Sequence, residues 1–379
     1  GPMHSPEEFS KPYADQALAL ANFYGMIAHI DHHVGKLRTW LSEKGLAENT
    51  LFIFTTDNGS AAGTRIHNSG MRGAKGSEYE GGHRVPMFFY WPAGGLTGGR
   101  DIDTLTAHVD IAPTLIELCG LPKPAGVKFD GISLKPLLDG KADTWPKDRM
   151  LVTDSQRVLQ PVKWKNSAVM SGTMRLVDGK ELYDIQSDPG QKTDIAAQHP
   201  DEVKRLTAFY ESWWAELEPT FAEPVRITLG NPAENPAVLT CHDWFSEGMT
   251  PWNHQAIRVM KDAADAHAPW KVRVETAGDY QIELRRWPLE SDAAIDAALP
   301  PGADVPGVKA YRTFPGVPFP AVKAKLEIGS QTVETTVSPG AVAATFQVAL
   351  PAGPSDLMGT FYDANGTAQG AYYAIVKKL

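Results

Sequence analysis

The sequence has little cysteine, no long apolar run and no excess of positive charge. Only Cys119 and Cys241 occur in 379 residues, and they lie far apart, which excludes a disulfide framework. No apolar run approaches about 18 residues, so no transmembrane helix is predicted. Lys and Arg number 36 against 45 Asp and Glu, a formal net charge of −9, and no block of like charge stands out. A nucleic acid or an anionic membrane is therefore disfavoured as a partner.

The composition that remains, 42% hydrophobic and 21% charged, is typical of a globular chain with more than one domain. The start Gly1-Pro2-Met3 is typical of a protease-cleavage scar followed by an initiator methionine. Residues 4–217 are predicted to form a partial α/β domain with a small antiparallel subdomain. A proline-rich linker is predicted over 218–236, and the alternating polar and apolar residues of 237–379 predict a β-sandwich.

Periodicity places the main elements of the first domain. Apolar residues at three- and four-residue steps predict one long amphipathic helix from Asp15 to Lys44. Continuous apolar runs predict two strands covered on both faces, Leu51–Thr56 and Val85–Trp91. Short antiparallel strands are expected within Met150–Asp194, and Pro200–Leu217 is expected to be a closing amphipathic helix.

Polar residues suited to ligand binding or catalysis follow the first of these strands. Asp57 and Asn58 offer a carboxylate and an amide oxygen where the strand ends, and such hard oxygens suit Ca²⁺ or Mg²⁺. The alternative is that Asp-Asn-Gly is only a turn, which these residues favour by themselves. Downstream, glycines surround Lys75, which is suited to contact sulfate or phosphate oxygens or simply lies in solvent. His4, in an extended segment before the long helix, is suited to protonate a leaving group.

Taken together, several stretches resemble the sulfatase family of the alkaline-phosphatase superfamily, specifically arylsulfatase-like enzymes. The resemblance covers about residues 4–217. It implies an α/β fold class. The expected architecture is a truncated alkaline-phosphatase-like sheet with flanking helices, followed by a small antiparallel sheet and a C-terminal β-sandwich. The stretches that carry it are "HSPEEFSKPY", "HIDHHVGKLRTWLSEKGLAENTLFIFTTDNGS", "MRGAKGSEYEGGHRVP", "HVDIAPTLIELCGLP", "FDGISLKPLLDG" and "ELYDIQSDPGQKTD".

The resemblance assigns roles to four residues. Asp57 and Asn58 match ligands of the family's Ca²⁺, Lys75 matches the lysine that contacts the sulfate group, and His4 matches the histidine near the leaving-group oxygen. The motif Cys/Ser-x-Pro/Ala-x-Arg, whose first residue becomes formylglycine in the family, is not found in this chain. We therefore expect a chain truncated at its N-terminus, without formylglycine chemistry and with an incomplete Ca²⁺ shell.

The expected function is that of a sulfatase-family hydrolase of sulfuric or phosphoric esters. With its usual nucleophile lost, the chain is expected to retain metal-dependent hydrolysis of activated phosphoesters, phosphotriesters included. An alternative, rearranged site would bind Zn²⁺ through His4, Asp57, His67 and His83. The expected substrate is a small ester, and the exposed truncated face is expected to pair two copies of the chain into a dimer.

Two other interpretations stay open at this stage. The chain is either an inactive sulfatase half that needs a complementing chain, or a non-catalytic binding protein that grips a sugar or a protein through sandwich tryptophans. His242, in the stretch "CHDW", is a candidate to line a substrate pocket. The tryptophans concerned are Trp244, Trp252, Trp270 and Trp287, and such residues also form sandwich cores.

Overall fold

The chain folds into two compact units. The computed structural model describes residues 3–156, 158–247, 250–251, 254–259, 267–302 and 315–379. One unit comprises Phe9–Thr220, and the other combines Gly1–Glu8 with Phe221–Leu379. Gly1 and Pro2 of the predicted scar, and Trp252, lie outside the described residues.

The helices of the described residues are mostly short. Within them, no helix combines the length and the apolar character needed to cross a membrane. The predicted long helix is present as α2 and begins at Leu18 rather than Asp15. The helices are α1 (Glu7–Ser10), α2 (Leu18–Glu43), α3 (Glu80–His83), α4 (Ile111–Leu118), α5 (Lys135–Leu138), α6 (Pro200–Leu217) and α7 (His254–Val259).

The two strands predicted to be buried form a sheet of their own. Strands β1 (Phe52–Thr55) and β2 (Met87–Tyr90) pair antiparallel, with Phe52 opposite Tyr90. The prediction that both strands are covered on both faces is wrong, because every residue of β1 is half-buried and Phe88 on β2 is 62% exposed. A two-stranded sheet leaves each strand one free edge, so apolar composition alone does not guarantee burial.

Helix α2 is also less buried than its apolar periodicity predicts. Only Ala21, Asn22 and Gly25 are buried. Several large apolar side chains of the helix face solvent, namely Leu18, Ile27, Ile30, Leu37 and Trp40. The helix is thus formed as its spacing predicts, but among the described residues little packs against most of its length.

The second sheet of this unit confirms its prediction. Strands β3 (Met150–Asp154), β4 (Ser167–Ser171), β5 (Met174–Val177) and β6 (Glu181–Asp184) pair antiparallel in sequence order. Helix α6 contacts three of these strands. It buries Leu206, Tyr210 and Trp214, which are four residues apart and so share one face.

The other unit is built mainly from two sheets over one core. Their orders are β13-β10-β16-β8 and β12-β11-β14-β9-β7, with β15 paired to β14. Burial alternates along these strands, as the sequence predicts for a sandwich; in β13, Ala344, Phe346, Val348 and Leu350 point inward. The strands are β7 (Ile227–Leu229), β8 (Ala237–Thr240), β9 (Trp270–Val274), β10 (Gly278–Arg285), β11 (Lys323–Ile328), β12 (Gln331–Thr336), β13 (Ala344–Leu350), β14 (Gly353–Tyr362), β15 (Ala368–Gly370) and β16 (Tyr373–Lys378).

The segment 218–236, predicted as a linker, contains one of these strands. Its residues 227–229 form β7, which pairs parallel with β9. Three residues among prolines give too short an apolar run to be separated from a linker by pattern alone. Trp244, Trp270 and Trp287 are buried in the same core, so these three tryptophans serve packing.

A buried ion pair fastens helix α4 to the neighbouring loop and to β3. The Asp110 carboxylate is fully buried and accepts hydrogen bonds from the Ala107 amide at 2.8 Å and the Ile132 amide at 3.0 Å. It also accepts from both terminal nitrogens of the Arg149 guanidinium, whose Nη1 lies 2.9 Å away. A carboxylate saturated in this way ties three separate stretches of chain together.

We predict that Asp110→Ala strongly destabilises this unit. The substitution leaves the Arg149 guanidinium buried without its counter-charge, which costs about 3–5 kcal/mol. Urea-dependent hydrogen exchange, read on peptides from β3 and α4, measures the opening of this unit separately from the sandwich. Lys128→Ala, which breaks an ion pair with Glu216 that is largely exposed, serves as the control and is expected to leave exchange unchanged. Equal exchange rates in both variants would contradict the stabilising role given to the buried ion pair of Asp110 and Arg149.

Candidate active site

The turn after β1 is held against the glycine-rich loop. The Gly59 amide donates to the Gly82 carbonyl at 2.9 Å, and the Lys75 amide donates to the Ser60 carbonyl at 3.0 Å. Asp57 is exposed and Asn58 is half-buried at the start of this turn. The two hydrogen bonds place the Asp57-Asn58 pair and Lys75 on neighbouring stretches of backbone.

Glycines permit this contact because no side chain would fit there. A Cβ on Gly59 would lie 1.9 Å from the Gly81 carbonyl oxygen, and one on Gly82 would lie 2.0 Å from the Ser77 carbonyl oxygen. Both distances are far below van der Waals contact, so the backbones would have to separate. Gly59 therefore does more than form a turn.

Asp57, Asn58 and Lys75 line one cleft of about 1150 Å³ within the unit Phe9–Thr220. Its walls come from the glycine-rich loop, the segment after β2 and the sheet that carries β3 and β5. The sequence-predicted oxygen pair and the predicted lysine thus share a cavity large enough for a small ligand.

The other predicted residues are placed differently. His83 also lines the cleft, whereas His67 is exposed beside Ser69. His4 is half-buried and belongs to the unit that contains the β-sandwich. His242 is exposed in a short helical turn, Cys241–Asp243, of that same unit.

A buried ion pair joins the glycine-rich loop to the antiparallel sheet. Glu80 is 1% exposed, and its Oε1 accepts a hydrogen bond from Arg175 Nε on β5 at 2.6 Å. The Glu80 amide donates to the Gln191 side chain at 2.8 Å, and Arg84 lies 3.4 Å from the second carboxylate oxygen. These contacts anchor the loop that carries Lys75 to the antiparallel sheet.

His83 is neutral in this environment. Burial lowers its pKa, and this effect outweighs the opposing influence of Glu80, whose Oε1 lies 3.9 Å from His83 Nε2. The nearby Arg175 charge acts in the same direction as burial. The ring therefore presents neutral nitrogen at the side of the cleft.

The donors in the cleft suit a hard cation better than zinc. Asp57 and Asn58 supply oxygen, which Ca²⁺ and Mg²⁺ prefer. Among the residues that the structure describes, no three His, Cys, Asp or Glu side chains form a group able to hold a metal ion. Asp57, His67 and His83, three members of the alternative zinc set, accordingly do not form such a group.

One histidine at the cleft was not singled out from the sequence. His108 Nε2 lies 2.9 Å from the Thr56 carbonyl oxygen, immediately before Asp57. A carbonyl only accepts, so Nε2 carries the proton in this contact. His108 lines the cleft and directly precedes the buried Asp110 region. Nothing in the local pattern "HVD" distinguishes it from an exposed loop histidine.

Comparison with known proteins identifies the fold and the family. A solved structure titled "Crystal structure of Ps i-CgsB in complex with k-i-k-neocarrahexaose" superposes with a TM-score of 0.52 at 23% identity, covering 58% of this chain and 49% of that one. The predicted mixed α/β class with several sheets is confirmed, and the fold is of the alkaline-phosphatase-like type. The family models "Sulfatase" and "N-sulphoglucosamine sulphohydrolase, C-terminal" match residues 1–121 and 74–208.

The chain belongs to the sulfatase family. It is 40% identical to the arylsulfatase of Clostridium perfringens over 184 residues, which are 47% of this chain and 36% of that protein. It is 37% identical to human arylsulfatase A over 282 residues, which are 65% of this chain and 53% of that protein. The chain thus spans about a third to a half of the length of these relatives.

We predict that Gly82→Ala separates the turn from the loop. The new Cβ would overlap the Ser77 carbonyl oxygen, so the hydrogen bond between the Gly59 amide and the Gly82 carbonyl should break. Hydrogen exchange at the Gly59 and Lys75 amides is expected to accelerate.

The matched control is Gly35→Ala in α2, where a Cβ meets no atom within 4 Å. This change should leave the turn unaffected and stabilise the helix by about 0.5–1 kcal/mol. Unchanged exchange at Gly59 in Gly82→Ala would show that the close approach does not hold the turn.

Proposed function

We propose that this chain hydrolyses esters of the sulfatase-family type, sulfuric esters and activated phosphoric esters. The observation that carries the proposal is the shared cleft of Asp57, Asn58 and Lys75. An oxygen pair and a primary ammonium in one cavity match the needs of a tetrahedral oxyanion substrate held with a divalent cation. Family membership supports the same reaction class.

Each side chain has a distinct proposed task. Asp57 and Asn58 hold a divalent cation, with Ca²⁺ favoured by their oxygen donors, and this cation would withdraw charge from the ester's oxygen. Lys75 contacts the anionic oxygens as a compact point charge. Since Ca²⁺ takes six to eight oxygens, water completes most of its shell and binding is weak.

The finer proposal is that water, rather than a cysteine-derived group, attacks the ester. Cys119 stands in "ELCGLPKP" and Cys241 in "LTCHDWF", and neither is followed by the arginine of the formylglycine motif. Burial raises the pKa of Cys241 to about 12, so this thiol stays protonated and is a poor nucleophile. Attack by water favours substrates with good leaving groups, such as aryl phosphomonoesters, phosphodiesters and phosphotriesters.

The test is a rate assay on 4-nitrophenyl sulfate and on the corresponding phosphomonoester, phosphodiester and phosphotriester, with and without chelator. Asp57→Ala is expected to abolish the chelator-sensitive part of the rate. Lys75→Ala is expected to lower kcat/KM by about 10²-fold for anionic substrates, because one charge contact to the reacting group is lost. The neutral triester should respond less to Lys75→Ala.

Matched controls exist outside the cleft. Asp143→Ala and Lys141→Ala make the same charge changes at exposed positions beyond the lining, and both should retain the full rate. Undiminished turnover in both Asp57→Ala and Lys75→Ala would remove these residues from the reaction. Absence of turnover of every substrate at saturating Ca²⁺, Mg²⁺ and Zn²⁺ would favour the inactive-half interpretation.

We also propose that two copies of the chain pair through the free edge of β2. Ile27 is 50% and Phe88 is 62% exposed, and β1 is the only strand that pairs with β2 among the described residues. Arg38 on α2 stacks over the Tyr90 ring at 5.5 Å, so helix and strand border the same surface. An antiparallel edge can pair with its own copy about a two-fold axis, which makes a second copy the suitable occupant.

Light scattering on the purified chain tests this pairing. The wild-type chain is expected at twice the mass of 41.2 kDa, and Phe88→Glu at the monomer mass, because a carboxylate on the exposed strand face opposes burial. Val225→Glu, at a side chain 96% exposed in the other unit, is the control and should remain dimeric. A monomeric wild type at high concentration would dismiss the proposal.

A further inference from the structure

Helix α2 carries two histidines one turn apart on its exposed surface. His29 Nε2 and His33 Nε2 lie 2.8 Å from each other. Residues four apart in a helix lie on the same face, so this approach follows from the local helix geometry and does not depend on distant contacts. Neither residue lines the cleft that holds Asp57 and Lys75.

The nitrogen separation fits the bite of a metal chelate. With metal–nitrogen bonds of about 2.0–2.1 Å, two imidazole nitrogens lie about 2.9 Å apart at a right angle and about 3.4 Å apart at a tetrahedral angle. The observed 2.8 Å lies next to the first value and within a small side-chain rotation of the second. His32 is also a near neighbour on this helix, but its ring meets the His33 ring edge-on with centroids 5.4 Å apart, and no such nitrogen approach joins it to the pair among the described residues.

An aromatic neighbour restricts one of the two rings. Phe9 stacks on the His29 ring with centroids 4.6 Å apart, which restricts the ring's rotation. A neutral nitrogen is what a metal ion requires, although Lys36 also repels a bound cation.

We propose that His29 and His33 chelate one transition-metal ion of borderline softness, Cu²⁺, Ni²⁺ or Zn²⁺, on the surface of α2. Both ligands are imidazole nitrogens, which suit these ions and not Ca²⁺ or Mg²⁺. Two protein ligands leave the remaining coordination positions to water or to a group from another molecule. The ion joins consecutive turns and thereby stabilises the helix against fraying.

The probe is Zn²⁺ added to metal-free protein in an excess of Ca²⁺, which occupies oxygen sites without competing for imidazole. Equilibrium dialysis at neutral pH is expected to give about one tightly held Zn²⁺ per chain. His29→Ala and His33→Ala should each weaken binding by about tenfold or more, because each removes half of the protein's ligands. Ni²⁺ and Cu²⁺ should follow the same pattern, with Cu²⁺ held most tightly.

His32→Ala is the matched control, on the same helix and of the same residue type, and it should bind as the wild type does. A rescue variant adds Leu37→His to His29→Ala, which recreates a pair four residues apart with His33, and Leu37 is 47% exposed. Recovered binding in that double variant would support chelation, and unrecovered binding would count against it. Wild-type affinity in either single alanine variant, or an equal loss in His32→Ala, would overturn the proposal. Circular dichroism checks that every variant keeps the helix.

Discussion

The candidate site depends on one steric constraint, the backbone contact between Gly59 and the Gly81-Gly82 pair. At this contact the Gly59 amide donates to the Gly82 carbonyl, and no Cβ fits between the two backbone segments. The contact aligns the end of β1 with the loop that carries Lys75. Loops are usually the mobile part of a site, and here glycine lets backbone hydrogen bonds replace side-chain packing as the means of fixing them.

The buried ion pair of Glu80 and Arg175 holds the loop of that contact in place on the antiparallel sheet. A charge pair in the interior is costly to desolvate and adds little net stability over an apolar replacement. Its directional hydrogen bonds, however, allow one register of the loop over the antiparallel sheet. Glu80 also lies 3.9 Å from His83 Nε2, so the same carboxylate holds the loop and partly opposes the lowering of the His83 pKa by burial.

Sequence reasoning succeeded where the cause is local. Helix α6 matches its predicted bounds, Pro200–Leu217, because a proline at its first turn and apolar residues on one face are sufficient to define it. Asp57, Lys75 and His4 were predicted to share a pocket; Asp57 and Lys75 do so, with glycine density as the signal, whereas His4 belongs to the other unit. The burial of β1 and β2 was predicted wrongly, because burial depends on what covers a strand. Arg175 and Arg149 were missed because they pair with carboxylates 95 and 39 residues away.

The two sets of metal-donor residues on this chain offer different donor atoms and therefore prefer different metal ions. Asp57 and Asn58 present oxygen in a cleft, whereas His29 and His33 present nitrogen on an open helix face. Ca²⁺ gains little from imidazole, and Zn²⁺ or Cu²⁺ gains little from one exposed carboxylate, so the two sets do not compete for one ion. The metal ion that hydrolysis requires therefore indicates which of the two donor sets is involved. A requirement met by Ca²⁺ alone indicates the cleft. A Zn²⁺ effect that disappears with His33→Ala points to α2, where the ion would act through the helix rather than on the ester.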